Sequence, residues 1–204
     1  RLGVGDATIL DGLAASAGRR DLRAPLEHVY NLTSDLGLAA RILREQGEEG
    51  LRGVHVRPGS PVRPALAQRL ASPEEILRRL GRCQAEPKYD GFRLQVHRVG
   101  ETVRLFSRNM EDVSGQFPEV AESALRQVEA QEAILEGEAI GYLPETGEFL
   151  PFQVTVQRRR KHGIEAMRET VPLRLFAFDL LYADGKEYLT CPLSERRAAL
   201  EAEL

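Results

Sequence analysis

Apolar residues recur every three to four positions through the first fifty residues, give way to a stretch of glycine and proline, and from residue 83 onward alternate with polar ones. In the first block Ile9, Leu10, Leu13 and Ala14, then Leu22, Leu26, Val29 and Tyr30, keep helical spacing, so helix and turn are predicted over residues 1–50. "NLTSDLGLAARILRE" restarts a helix, with Ser34 as the predicted cap and Leu36, Ala39, Ala40 and Leu43 on one side. "GLRGVHVRPGSPVRPALA" then carries Gly50, Gly53, Pro58, Gly59, Pro61 and Pro64, the composition of a linker or an extended entry into a new domain. A boundary near residue 54 divides the chain into blocks 1–53 and 54–204. "SPEEILRRLG" has a marked helix start: Ser72 as cap, Pro73 in the first turn and Glu75 three residues past the cap.

After residue 83 the period is two. Phe92, Leu94 and Val96 alternate with Arg93, Gln95 and His97, and "TVRLFSR" follows the Gly100–Glu101 turn, which predicts a hairpin. "FPEVAESALRQVEAQ" reads as a helix from about Pro118, and "AILEGEAIGYL" and "LRLFAFDLLYADG" as strands. The second strand is nearly continuous in apolar residues, which predicts a central position in its sheet. The order describes an α+β domain with a mostly antiparallel sheet, preceded by an α-helical segment.

Composition narrows the classes. At 42% hydrophobic and 29% charged, the 204-residue chain is neither disordered nor fibrous. No apolar run approaches the roughly 18 residues needed to cross a bilayer, and no basic segment leads into an apolar stretch, so an intracellular, cytoplasmic protein without a membrane partner is expected. Cys83 and Cys191 stand far apart with no ligand at metal spacing, and are expected to be core or half-buried thiols. The net charge of −3 argues against a surface coated in positive charge but not against a local basic patch. With no initial Met and an end inside the helix-like "SERRAALEAEL", the chain reads as a fragment of a longer protein.

Candidate chemistry gathers in five places. "EPKYDGFR" sets Lys88 and Asp90 on one side of an extended segment just before a strand, with Gly91 allowing close backbone approach. A lysine is a nucleophile only when deprotonated; otherwise Lys88 is a solvated turn residue. Glu136 and Glu138 share one side of their strand, suited to a magnesium ion or a ribose hydroxyl, or simply to solvent. Phe176, Phe178 and Leu180 fall on one face by alternation, as core or as a stacking surface. Arg108 and Asn109 follow directly on a strand, where loops present polar groups to ligands. The run "RRRKH", residues 158–162, is either a solvated helix end or a phosphate contact.

Taken in order, "EPKYDGFR", "LFSRNMEDVSGQFPEV", "AILEGEAIGY", "PFQVTVQRRRKHGIE" and "LFAFDLLYADGKEY" resemble the nucleotidyltransferase motifs of ATP-dependent DNA ligases, most closely the archaeal-type replicative ones. Upstream, "RLGVGDATILDGLA" and "VYNLTSDLGLAARIL" resemble the end of that family's helical DNA-binding domain, so the resemblance covers essentially the whole chain. It implies a truncated adenylation domain over residues 54–204, ATP and Mg2+ as cofactors, and nicked double-stranded DNA as partner. A sliding clamp is a candidate recruiter, and a monomer is expected. Lys88 would attack the α-phosphorus of ATP and carry AMP. Glu86 would contact the adenine amine, Phe178 would stack on the base, Arg93 and Arg108 would address ribose, phosphates and DNA ends, Glu138 would bind ribose or the metal, and Asp90 would support the lysine loop. Like charge from Arg93 and a metal would favour the deprotonated lysine.

The chain also departs from the pattern. The family's later Glu-Gly motif, its paired-lysine motif and its C-terminal OB-fold domain are not visible, so the 204 residues alone are expected to be weak or inactive in sealing. Two alternatives share part of the evidence: another lysine nucleotidyltransferase, such as an RNA ligase or capping enzyme, and a non-catalytic DNA-binding module in which Lys88 anchors a phosphate.

Overall fold

The computed structural model describes residues 4–160 and 162–204. The sequence reading of residues 1–3 and of Lys161 in the basic run lies outside them. The chain opens with α1 (Asp6–Ser16), α2 (Arg23–Thr33) and α3 (Leu36–Arg52). Leu10, Ala14, Leu22, Leu26, Val29, Ala39, Ile42 and Leu51 form one buried cluster between them. Each fully buried leucine of this kind contributes about 1.5–3 kcal/mol of transfer free energy. The cap of α3 is Asp35, whose carboxylate accepts from the Leu38 N–H at 2.9 Å, and not Ser34. Ser34 instead ends α2 in the left-handed region at φ 56°, where its hydroxyl reaches the Pro61 carbonyl at 2.8 Å.

Helix α4 (Pro73–Leu80) starts as its sequence predicts, with the Ser72 hydroxyl accepting from the Glu75 N–H, yet none of its residues is buried. The sheet follows: β1 (Phe92–Val99) and β2 (Thr102–Ser107) as a hairpin, α5 (Pro118–Gln127), β3 (Glu132–Gly141), the short α6 (Phe152–Thr155) and α7 (Ile164–Thr170), then β4 (Leu173–Ala183), β5 (Lys186–Glu187) and α8 (Leu193–Ala202). All pairings are antiparallel in the order β2-β1-β3-β4-β5. The central strand is therefore β3; β4, expected there from its apolar run, has only the two-residue β5 on its outer side. No helix among the described residues is long and apolar enough to cross a membrane.

One face of the sheet packs Phe92, Leu94, Val96, Leu135, Ala139 and Leu180 against Phe117, Val120, Ala124 and Leu200, the main core. Strand β4 departs from simple alternation twice, because Phe178 and Leu181 are extra residues: Asp179 pairs with Glu136 and Ala177 with Gly137, while Leu180 pairs with Leu135 and Tyr182 with Ile134. The bulge at Phe178 reverses the parity after it. Leu180, which alternation places with Phe176 and Phe178, lies in the main core on the opposite face.

The second face carries the polar residues of β1, and the proline- and glycine-rich segment does not link freely across solvent but lies on that face as a strap. Val56 and Val62 pack with Leu32, Ile134 and Leu181. Polar pairing completes the seal. The Gly59 N–H donates to His97 Nδ1 at 2.9 Å, the Val62 N–H donates to Gln95 Oε1 at 2.8 Å, and the Gln95 amide donates to the Val62 carbonyl at 3.0 Å. His97 Nε2 lies 2.7 Å from Gln95 Oε1, so the tautomer that satisfies every partner carries its proton on Nε2.

Burial, reinforced by the nearby Arg104 charge, pushes the His97 pKa down to about 3. Unfolded, the imidazole titrates near its ordinary value of about 6.5. The folded pKa is depressed, so its contribution to stability is complete above about pH 6.5 and declines as pH falls from there toward 3, by about 1.4 kcal/mol per pH unit. Urea melts are expected to show the parent chain losing about 1 kcal/mol more than His97→Gln between about pH 7 and pH 5.5; equal losses would remove His97 as the cause.

Candidate active site

At the end of the sheet that the strap leaves uncovered lies a cavity of about 870 Å³. The loop before β1 lines it with Glu86, Lys88, Tyr89 and Gly91, β1 with Arg93, the turn after β2 with Arg108 and Asn109, β3 with Glu138, and β4 with Phe176 and Phe178. All six residues singled out for nucleotide chemistry, Glu86, Lys88, Arg93, Arg108, Glu138 and Phe178, thus border one space.

Two glycines make the walls possible. A Cβ on Gly91 would collide with the Ala139 carbonyl oxygen, and one on Gly137 would sit 2.7 Å from the Phe176 carbonyl oxygen. Any side chain at either position would push apart the backbones that set Lys88 and Glu138 into the same wall. Lys88 itself is exposed, its amine 3.5 Å from the Tyr89 carbonyl. Tyr89 anchors the loop: its ring stacks on Phe176 at 4.4 Å, and Phe149 meets Phe176 edge-on at 5.2 Å. Glu86 is exposed and accepts from the Gln84 amide at 2.9 Å.

Arg93 is the best-held cation of the site. Its guanidinium pairs with Glu136 and lies 5.3 Å above the Phe178 ring, while its Nε is buried without a partner among the described residues. Burial pulls its pKa below the usual arginine range, Glu138 opposes this, and the like charge of Arg108 adds to it. Glu138 shifts the other way from an ordinary carboxylate. Its half-buried position raises its pKa against the Gly91 N–H and the Lys88 and Arg93 charges, and Asp90 adds to the rise.

Glu136 corrects its own sequence reading. It is 5% exposed, held by Arg93 on one oxygen and the Gln95 amide on the other at 2.8 Å, and so is neither solvated nor open to a metal. The basic run divides as well. Arg158 is 1% exposed, paired with Glu119 beneath the Phe117 ring, and is a structural ion pair, while Arg159 lines the cavity and Arg160 and His162 are exposed. Arg159 borders the cavity as a member of the basic run, whereas Tyr89 and Arg197 border it without having been singled out; an aromatic beside the lysine was a visible signal, and nothing in the sequence marked Arg197. Cations outnumber acids on the walls: Lys88, Arg93, Arg108, Arg159 and Arg197 face Glu86 and Glu138. A space of this size with aromatic walls and surplus positive charge suits a nucleotide polyphosphate.

The raised Glu138 pKa carries a stability consequence. The carboxyl favours the fold while protonated, and that contribution is lost as pH rises through its folded pKa. Glu138→Gln is therefore expected to melt at a higher temperature than the parent at neutral pH, with the gain shrinking as pH falls toward the ordinary glutamate value. A pH-independent difference between the two would sever the melt from this carboxyl's titration.

Residues 64–204 match the family model described as the ATP dependent DNA ligase domain. A "Probable DNA ligase" of Dictyoglomus thermophilum is 51% identical over 205 residues, covering 100% of this chain and 35% of that protein. A "DNA ligase" of Staphylothermus marinus is 46% identical over 202 residues, covering 98% of this chain and 34% of that protein. A solved mycobacterial DNA ligase D, complexed with ATP and MES, is 31% identical, covering 57% of this chain and 35% of that one at a TM-score of 0.43. The chain spans about a third of the length of the curated relatives it matches. The lysine loop, the strands around it and the family match coincide over residues 64–204, and on that match the chain belongs to the ATP-dependent DNA ligase domain family.

Proposed function

We propose that this chain is the nucleotide-transfer part of an ATP-dependent DNA ligase, in which the Lys88 amine attacks the α-phosphorus of ATP. A nitrogen–phosphorus bond forms as the bond to pyrophosphate breaks, leaving AMP on Lys88. In the full-length protein AMP then passes to the 5′-phosphate of a nick in duplex DNA, and the 3′-hydroxyl displaces it to close the strand. The observation that carries this reading is the convergence on one cavity of Lys88, Glu86, Glu138, Arg93, Arg108 and Phe178 from the lysine loop, three strands and the turn after β2.

Each role follows from position and chemistry. Attack requires the deprotonated amine. Glu86 suits the adenine amine and Phe178 the base face. Arg93, whose buried Nε has no partner among the described residues, and Arg108 suit ribose and phosphate oxygens. Asp90, next to the lysine, adds negative charge near Glu138 and supports the loop. Glu138 offers one hard oxygen ligand, and among the described residues no cluster of three or more potential metal ligands accompanies it. That fits Mg2+, which is commonly held by one or two carboxylates together with substrate phosphates. When bound, the ion would neutralise charge developing on the phosphates. The division into a helical DNA-binding part, residues 1–53, and an adenylation part, residues 54–204, is supported by the separate hydrophobic cluster of α1–α3.

With ATP and Mg2+, the intact mass of the full-length protein is expected to rise by one AMP, and Lys88→Ala to abolish the increase. Arg108→Ala, which leaves the lysine in place, is expected to slow the labelling roughly 10²-fold. An unchanged mass, with Lys88→Ala only weakening DNA binding in a salt-dependent way, would identify Lys88 as a phosphate anchor instead.

A further inference from the structure

We infer that Gln95 is a positioning residue through which the strap, and with it the helical part of the chain, holds Arg93 in register with the nucleotide cavity. The inference rests on the proposed role of Arg93 in that cavity and adds a component outside it.

Gln95 is 5% exposed and fully paired. Its carbonyl oxygen accepts from the Val62 N–H and His97, and its amide donates to the Val62 carbonyl and to Glu136 Oε1. An amide has both polarities at one end, so a single side chain can clasp the backbone of the strap and also donate to a carboxylate. Glu136 passes the constraint on, because its other oxygen pairs with Arg93. Without the Gln95 donor, that buried carboxylate would lose one of its two partners, and Arg93 would be drawn toward it and away from the cavity.

The strap is fastened just as firmly at its other side. The Arg63 N–H donates to the Asn31 carbonyl at 2.8 Å, the Arg63 guanidinium pairs with the Tyr30 hydroxyl and approaches Asp6 at 3.4 Å, and Ser34 holds the Pro61 carbonyl. A chain of contacts therefore runs from α1 and α2 through residues 61–63, Gln95 and Glu136 to Arg93. From Tyr30 and Arg63 through Val62, Gln95 and Glu136 to Arg93 the run is buried or half-buried, so a shift of the helical part would be felt at the cavity.

A double-mutant cycle in the full-length protein tests the coupling, with the single-turnover rate of Lys88–AMP formation from ATP and Mg2+ as its readout. Gln95→Met is expected to slow the step about tenfold, and to have no further effect in an Arg93→Ala background, because both changes remove the same placement. Gln95→Asn keeps both amide polarities but falls short of Glu136; the same slowing is expected of it, and it decides the matter should Gln95→Met lose its cooperative melt. Multiplying effects in the double variant, or an unslowed rate in a folded Gln95 variant, would overturn the inference while leaving the cavity assignment intact. An Arg93→Ala protein with the parent's rate would instead overturn the role of Arg93 itself, and the coupling with it.

Discussion

A carboxylate 5% exposed on the central strand is the constraint from which the second face of the sheet takes its form. Burying Glu136 without partners would cost several kcal/mol, so the fold must deliver a cation and a hydrogen-bond donor to it from neighbouring strands. Strand register supplies both. β1 lies antiparallel to β3 with Gln95 opposite Glu136, and Arg93, two residues earlier, falls on the same face. Both neighbours must then be sheltered from water for the ion pair to keep its strength, and the strap does this with Val56, Val62 and its own backbone groups. The covered end of the face is thus packed by polar complementarity, and the uncovered end is the cavity.

The same register explains the aromatic walls. A strand without bulges would return Phe178 to the middle of a flat ladder, with Leu180 beside it. The extra residue at 178 swells the backbone there and lets Asp179 pair opposite Glu136, while its carboxylate is gripped by Arg196 at 2.7 Å and 3.2 Å and accepts from the Leu180 N–H at 3.0 Å. The local distortion is therefore tied by side chains to α8, and Phe178 stays under the Arg93 guanidinium rather than sliding into the core.

Much of this was legible in the chain. The helical period of residues 9–43, the Ser72-Pro73 start and the alternation of Phe92, Leu94 and Val96 each translate directly into the elements observed. The residues of the cavity were legible too, because short motifs at strand ends carry their chemistry in sequence. What escaped detection depends on partners distant in sequence. Bulges at Phe178 and Leu181 are decided by pairing with β3, and a period-two pattern cannot announce its own interruption. The burial of Gln95 and His97 could not be read from β1 alone, because their covering, residues 56–63, reads locally as a linker. Arg158 sat in a run of like charge whose bulk is solvated, and only the fold reveals Glu119 beside it. The cap moved from Ser34 to Asp35 because Ser34 is claimed by the strap.

Lys88 differs from these residues in having little that the fold asks of it. The segment that follows it is pinned, Tyr89 by stacking on Phe176 and Gly91 by the close passage of β3, yet the lysine just before them is exposed. Opposite stands Glu138, a carboxylate made less comfortable by burial, which a sheet selected for stability alone would replace with an uncharged residue. An idle cation on a fixed loop and a strained anion on a fixed strand, facing one space rich in arginine, are both unprofitable for the chain in isolation. In the proposed reading they become favourable when a nucleotide, with its phosphate oxygens, sugar hydroxyls and flat ring, enters between them.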